Sequence, residues 1–286
     1  MMMSKYIFLD TWTLDKYTKA RYAQHLANFI KSNGYTIVFN GLSMAELYNS
    51  EWEKGGTEER GARVARFLGD QHCIIVRPEE VWQAEAAIFP RHLDSLPIKL
   101  NIDTLPNSQR IAAMLSIFRR DQTLLDEGMD IAQWRSQYDA LKSQWLADVE
   151  KIIEEGVRQE TIIKATQNRY KAASSEKREA FLRSLDWRLT NKSTYYSWQD
   201  TSVMRSIRFS SLCLWYHYID YPAGETPKKS PSDIGDIFQL SLAPYCDVIT
   251  TDTKIAPTLK RVLHELSYAC QILTYHELEM ELGIES

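Results

Sequence analysis

Short apolar runs and longer amphipathic stripes take turns along the first part of this chain. Tyr6-Ile7-Phe8-Leu9 is a compact apolar run closed by Asp10, the signature of a buried strand. Tyr22, Leu26, Phe29 and Ile30 share one helical face, and Asn33-Gly34 ends that helix, because glycine enters the left-handed cap conformation without strain. Thr36-Ile37-Val38-Phe39, rich in β-branched residues, predicts a second strand. A short helix is expected from Ser43 to Asn49 and another from Glu58 to Leu68, closed by Gly69. Cys73-Ile74-Ile75-Val76 reads as a third strand, and Pro78 opens a further helix.

The rhythm then changes. From Asn107 to Ile219 the pattern is helical with almost no strand signal: Trp134, Tyr138, Leu141, Trp145 and Val149 recur at helical spacing, as do Phe181, Leu185 and Leu189. Tyr221 to Ser232, with Pro222, Gly224, Pro227 and Pro231, reads as a loop. After it the first style returns: a helix over Ile234–Leu242, a strand at Asp247-Val248-Ile249-Thr250, a helix over Ile255–Leu266 and a last strand at Gln271-Ile272-Leu273-Thr274. Strands separated by helices imply crossover connections and a parallel sheet. The expected fold class is therefore α/β, with residues 1–95 and 231–286 meeting in one domain and 96–230 forming an α-helical insertion.

Composition narrows the function classes. With 286 residues, 44% hydrophobic and 25% charged, the chain has the make-up of a soluble globular protein. No stretch approaches the roughly 18–20 apolar residues of a membrane helix. The apolar run before Asp10 is too short for a signal peptide, so a cytoplasmic protein is expected. Cys73, Cys213, Cys246 and Cys270 are widely spaced and fit reduced, packed thiols. The six histidines are equally scattered, which argues against a structural zinc site. Net charge is −4, but residues 156–211 hold 11 Lys+Arg against 5 Asp+Glu, a local +6 that leaves −10 for the rest. A basic face opposite an acidic site would look like this.

The acids carry the candidate chemistry. Asp10 and Asp252 each follow a predicted strand, and parallel sheets bind ligands at the carboxyl ends of their strands. Glu46 sits in the short helix after the second strand. Asp233 and Asp236, three residues apart, share one face of the helix before the Val248 strand. Crowded carboxylates repel unless a cation balances them, and Mg²⁺ or Mn²⁺ prefers such oxygen donors. Each acid also has a plainer reading. Ser43-x-x-Glu46 has the form of a capping box, Ser230-Pro231-Ser232-Asp233 that of a capped start, and Asp252 fits a helix cap. Asp247, at the opposite end of its strand from Asp252, reads as structural. Asn40, Thr11, Thr13, Thr250 and Thr251 are polar neighbours able to orient ligands or water, or simply turn and strand residues.

Four segments resemble the PIN-domain family of metal-dependent nucleases: Leu9-Asp10-Thr11-Trp12-Thr13-Leu14, Ser43-Met44-Ala45-Glu46-Leu47, Ser232-Asp233-Ile234-Gly235-Asp236, and Cys246-Asp247-Val248-Ile249-Thr250-Thr251-Asp252. Leu242-Ala243-Pro244-Tyr245 between the last two looks like a variant in which a Pro-Tyr turn leads into the strand. The resemblance covers roughly residues 5–90 and 230–283; Trp12 departs from it, standing where the family often has a small polar residue. It implies a three-layer α/β/α domain with a central parallel sheet, and endoribonuclease activity in which a Mg²⁺- or Mn²⁺-activated water hydrolyses phosphodiester bonds. Asp10 and Asp252 would be the primary metal ligands, with Glu46 and Asp233 or Asp236 completing the site.

In the basic segment, Arg183, Arg188 and Lys192 are interleaved with Trp187, Tyr195, Tyr196 and Trp198, a mixture suited to the phosphates and unpaired bases of single-stranded RNA. Solvated helix faces with core aromatics give the same pattern. Two other functions stay open: a catalytically inactive PIN-like binding or scaffold module, and a structure-specific DNA nuclease, although no helix-hairpin-helix glycine pattern supports the latter. The sequence is also compatible with a homo-oligomer and with a regulatory partner.

Overall fold

The computed structural model describes residues 5–40, 43, 47, 59–76, 78–88, 93, 96, 100–101, 182, 204–218 and 231–284. Strand β1 (Lys5–Phe8) leads through Asp10 into α1 (Thr11–Tyr17) and α2 (Ala20–Asn33), then β2 (Tyr35–Asn40). Next come α3 (Glu59–Gly69), β3 (Cys73–Val76), α4 (Pro78–Ile88) and the two-residue β4 (Leu100–Asn101). The later part holds α5 (Arg205–Tyr218), α6 (Pro231–Gln239), a 3₁₀ turn (Leu240–Tyr245), β5 (Val248–Thr251), α7 (Ala256–Leu266), β6 (Gln271–Thr274) and α8 (Tyr275–Glu281). The expected helices over 131–155 and 176–189 and most of the 221–232 loop lie outside the described residues, Leu182 excepted.

One sheet gathers the strands in the order β4-β3-β2-β1-β5-β6. Five run parallel, and β4 pairs antiparallel at one edge. The α/β class expected from the alternation of strands and helices is therefore present. Register follows from side-chain alternation. Phe8 lies level with Val38 and Ile249, Val38 with Ile74, and Ile249 with Ile272. That row of five enters one core, which also takes Val81 from α4, Phe209 and Leu214 from α5, Phe238 from α6 and Leu259 from α7. The intervening residues Ile7, Ile37, Phe39, Ile75, Val248 and Leu273 enter a second core, with Leu14, Leu26, Val64 and Leu278 from α1, α2, α3 and α8. A slip of one residue in any strand would exchange the two sets, so burial fixes the register. Phe8 is fully buried, and its truncation to alanine should cost about 3–5 kcal/mol.

The strand order creates the site. From β1 the chain steps to β2 and β3 on one side, with its helices in the second core; from β5 it steps to β6 on the other side, with α7 in the first. Right-handed crossovers that travel in opposite directions place their helices on opposite faces. The connections leaving β1 and β5 therefore diverge, opening a crevice at the strands' carboxyl ends.

Several elements depart from expectation. Helices α1 and α8 and strand β4 carry no strong periodic signal, being short. The helix expected to reach Leu242 ends at Gln239 and tightens into the 3₁₀ turn, where Pro244 cannot supply a helical N–H. Helix α5, within the stretch expected to be an insertion, packs into the first core, as does Leu182. Glu85 on α4, nearly fully buried, ties α5 and the 3₁₀ turn together: it accepts the Ser206 amide at 3.0 Å, the Ser206 hydroxyl and the Tyr245 hydroxyl. The four cysteines are free thiols, three of them buried. Among the described residues, no helix is long and apolar enough to cross a membrane.

Candidate functional site

At the crevice the described chain forms a cavity of about 470 Å³ lined by three carboxylates: Asp10, Asp236 and Asp252. Asp10 comes off β1 and caps α1, its Oδ1 accepting the Thr13 amide at 2.9 Å. Thr250 on β5 fastens the two strands here, its hydroxyl oxygen accepting the Asp10 amide at 3.1 Å and its O–H lying 3.4 Å from Asp10 Oδ1. Asp10 Oδ2 accepts the Tyr275 hydroxyl. Both carboxylate oxygens are thus held, one from α1 and β5, the other from α8.

Burial dominates the electrostatics of Asp10 and pushes its carboxyl up to about 6, although bonds from Thr13, Tyr275 and Thr250 pull it down. Tyr275 moves the same way. Burial and the charges of Asp10, Asp252 and Asp236 keep its phenol protonated far above the ordinary range. Three carboxylates therefore bear on one hydroxyl. The ring of Tyr275 is pinned by Trp12, stacked at 3.8 Å between centroids, and Trp12 in turn meets the Tyr17 ring edge-on. Lys16 lies 4.8 Å from the Trp12 ring and pairs with Glu279 at 2.5 Å. The start of α8 is held by a capping box in which Thr274 and Glu277 bond each other's backbone amides. Nothing in the spacing of the acids pointed to Tyr275 or Trp12. The recoverable signal was the Thr274-x-x-Glu277 cap, which marks a helix beginning at the end of the last strand.

Asp252 follows β5, and its Oδ1 accepts the Lys254 and Ile255 amides, both at 2.9 Å. It is therefore both a cap ahead of α7 and a cavity acid. Asp236 on α6 lines the cavity, while Asp233, one helical turn earlier, does not. Both oxygens of Asp233 lie 2.7 Å from Lys254 Nζ, and Oδ2 lies 3.3 Å from His217 Nε2. Asp247 sits at the other end of β5, where its carboxylate accepts the Tyr6 amide at 2.7 Å. Thr11 and Thr251 also line the cavity. Glu46, Arg183, Arg188 and Lys192 lie outside the described residues.

The donor set is oxygen-only, as Mg²⁺ or Mn²⁺ requires. Among the described residues no three His, Cys, Asp or Glu side chains stand close enough to hold a metal ion directly. Mg²⁺ is commonly held by one or two carboxylates with water completing its shell, and the open, carboxylate-bearing cavity admits that mode. Arg60 is the cationic side chain in the lining, and it pairs with Asp15 at 3.0 Å. Among the described lining residues the three acids therefore outnumber the positive charge.

Compared with family models, with curated proteins and with solved structures, the chain matches none. The likeness to PIN domains rests on the four segments quoted above.

Proposed function

We propose that this chain is a metal-dependent nuclease of the PIN type that hydrolyses phosphodiester bonds in RNA. The observation that carries the proposal is that Asp10, Asp236 and Asp252 line one open cavity at the point where the connections of β1 and β5 diverge. Asp10 and Asp252 come from segments 242 residues apart in the chain, and each was singled out by its position after a strand.

In this reading Asp10, Asp236 and Asp252 hold one or two Mg²⁺ or Mn²⁺ ions, directly or through water. Held there, the cation would supply a water nucleophile at neutral pH and charge stabilisation at the scissile phosphate. Thr250 and Tyr275 keep the Asp10 carboxylate in one orientation, and the Lys254 and Ile255 amides do so for Asp252. Among the described residues no cationic side chain bonds Asp10, and burial already disfavours its charge. A cation would relieve both costs. The three-layer PIN arrangement belongs to the same proposal. Leu182 and α5, within the stretch 96–230 read as the insertion, bury in the first core.

The ion-paired state of Asp233 and the lack of a tight acid cluster among the described residues favour one other reading, a PIN-like binding module without catalysis. A cleavage assay separates the two. Single-stranded RNA is incubated with the wild type, Asp10→Asn, Asp236→Asn and Asp252→Asn, in Mg²⁺, in Mn²⁺ and in chelator, with single-stranded and flap DNA in parallel. Metal-dependent RNA cleavage should fall on the order of 100-fold or more in each variant. No cleavage by the wild type, or equal cleavage by all four proteins, refutes the proposal; cleavage of DNA alone moves it to a DNA nuclease.

A further inference from the structure

We infer that Gln239 is a substrate-binding residue, its side-chain amide donating a hydrogen bond to a non-bridging phosphate oxygen of the strand in the cavity. The inference rests on the nuclease reading and adds to it a group that the acidic motifs do not include.

Gln239 is the last residue of α6, one turn beyond Asp236, and it lines the same cavity although only 3% of its surface is exposed. Its side chain is fixed by a buried polar network at the carboxyl end of β2. The Ser43 hydroxyl donates to Gln239 Oε1 at 3.0 Å, and the Ser43 amide donates to Asn40 Oδ1 at 2.7 Å. The Asn40 amide nitrogen reaches the Gln239 backbone carbonyl at 3.4 Å. Asn40 and Ser43 are fully buried. With Oε1 committed to Ser43, Nε2 is the end left for a ligand, and it is buried with no hydrogen-bond partner. Buried donors are nearly always paired, and leaving one unmade costs stability. A buried network that ends in an unmet donor on a cavity-lining residue leaves that donor for an acceptor brought in with the strand.

The chemistry of the cavity selects that acceptor. A cationic donor among the three carboxylates would pair with them and compete with a divalent ion. An amide N–H carries no charge, so it can hold a phosphate oxygen while the acids keep their charge for the cation. A fixed donor aimed at a phosphoryl oxygen is a recurring device in phosphoryl-group chemistry. The same N–H would also bind an ordered water, so that outcome belongs in the test.

The test uses the full chain carrying Gln239→Met, which keeps length and packing but removes the donor, and Gln239→Glu, which keeps the acceptor for Ser43 and adds charge. The KM for single-stranded RNA in Mn²⁺ should rise about tenfold in Gln239→Met and further in Gln239→Glu. Mn²⁺ affinity of Gln239→Met, measured by calorimetry, should stay within about twofold, since the residue acts on the strand rather than the metal. A purely structural role would instead lower the melting temperature and leave KM alone. A KM for Gln239→Met within about twofold of the wild type overturns the inference and leaves the amide holding a water. If the wild type cleaves no RNA the nuclease reading falls, and fluorescence polarisation with labelled RNA then decides the inference separately. A tenfold weaker Kd in Gln239→Met upholds it, and an unchanged Kd overturns it.

Discussion

Replacing Asp10 with asparagine should stabilise the metal-free protein while removing its activity. Burial raises the Asp10 carboxyl from 3.8 to about 6, so ionising it in the folded chain is uphill. A shift of about two units corresponds to roughly 3 kcal/mol against the folded state once the group is fully ionised. Asp10 is partly exposed, so solvent screening reduces the recoverable part to about 1–2 kcal/mol. Asparagine keeps the shape and caps a helix as well as aspartate does, so the bond from the Thr13 amide survives. Its amide can face the Tyr275 hydroxyl, which accepts as readily as it donates.

The sign fixes the pH window. An acid whose folded pKa is raised favours folding below its unfolded pKa of about 4, and that advantage is lost as pH rises through about 6. The two proteins should therefore melt together near pH 4 and separate above it, the variant about 2–6 °C higher by about pH 8. The assay is a set of thermal melts in chelator across this range. Saturating Mn²⁺ should reverse the order, because ligand at about 100 times its Kd adds about 2.7 kcal/mol to the protein that binds it. A variant less stable than the wild type at about pH 8, or a difference independent of pH, would refute the assignment of Asp10 as a charge held at a cost.

Three further substitutions probe the surroundings. Tyr275→Phe keeps the stack on Trp12 and removes the bond to Asp10 Oδ2; kcat and Mn²⁺ affinity should fall about 10- to 100-fold with KM for RNA unchanged, and a change in KM alone would contradict a positioning role. Asp233→Asn weakens the pair between a buried carboxylate and the half-exposed Lys254 and should cost about 1 kcal/mol in denaturant melts while leaving cleavage within about tenfold, whereas Asp236→Asn should abolish cleavage at little cost in stability. The reverse pattern would exchange the roles of the two acids. Thr274→Ala removes the cap of α8 and should cost about 1 kcal/mol. Glu277, held down to about 2 by Thr274 and Lys260, stabilises the fold above its unfolded value near 4.5 and loses that contribution as pH falls toward 2. Glu277→Gln should therefore flatten the acid limb of the stability curve, and an unchanged limb would remove the cap from the account.

The strands were legible because burial on both faces makes them short, nearly pure apolar runs: Ile7-Phe8, Val38-Phe39, Cys73 to Val76, Val248-Ile249 and Ile272-Leu273 all sit where the pattern put them. Helices of seven residues escaped, since α1 and α8 span only two turns and bury few positions. The acids were legible in position but not in role. In the sequence, Asp10 could equally have been a loop acid after its strand, and capping and cavity-lining were rival readings of Asp252. In the structure they coincide, because a parallel strand that turns directly into a helix puts the capping carboxylate at the mouth of the crevice. Asp233 and Asp236 show the converse. Three residues apart on one helix, they looked equivalent, and what sets Asp233 apart is its bond to Lys254, which sits two residues beyond Asp252 and reaches back to α6. That contact depends on how β5 delivers its loop to α6, a long-range fact that spacing along a helix cannot encode. The same pair pulls on Asp252 through the chain, since the Lys254 amide caps the Asp252 carboxylate while its ammonium is anchored on α6. Asp233 therefore holds the loop that carries Asp252.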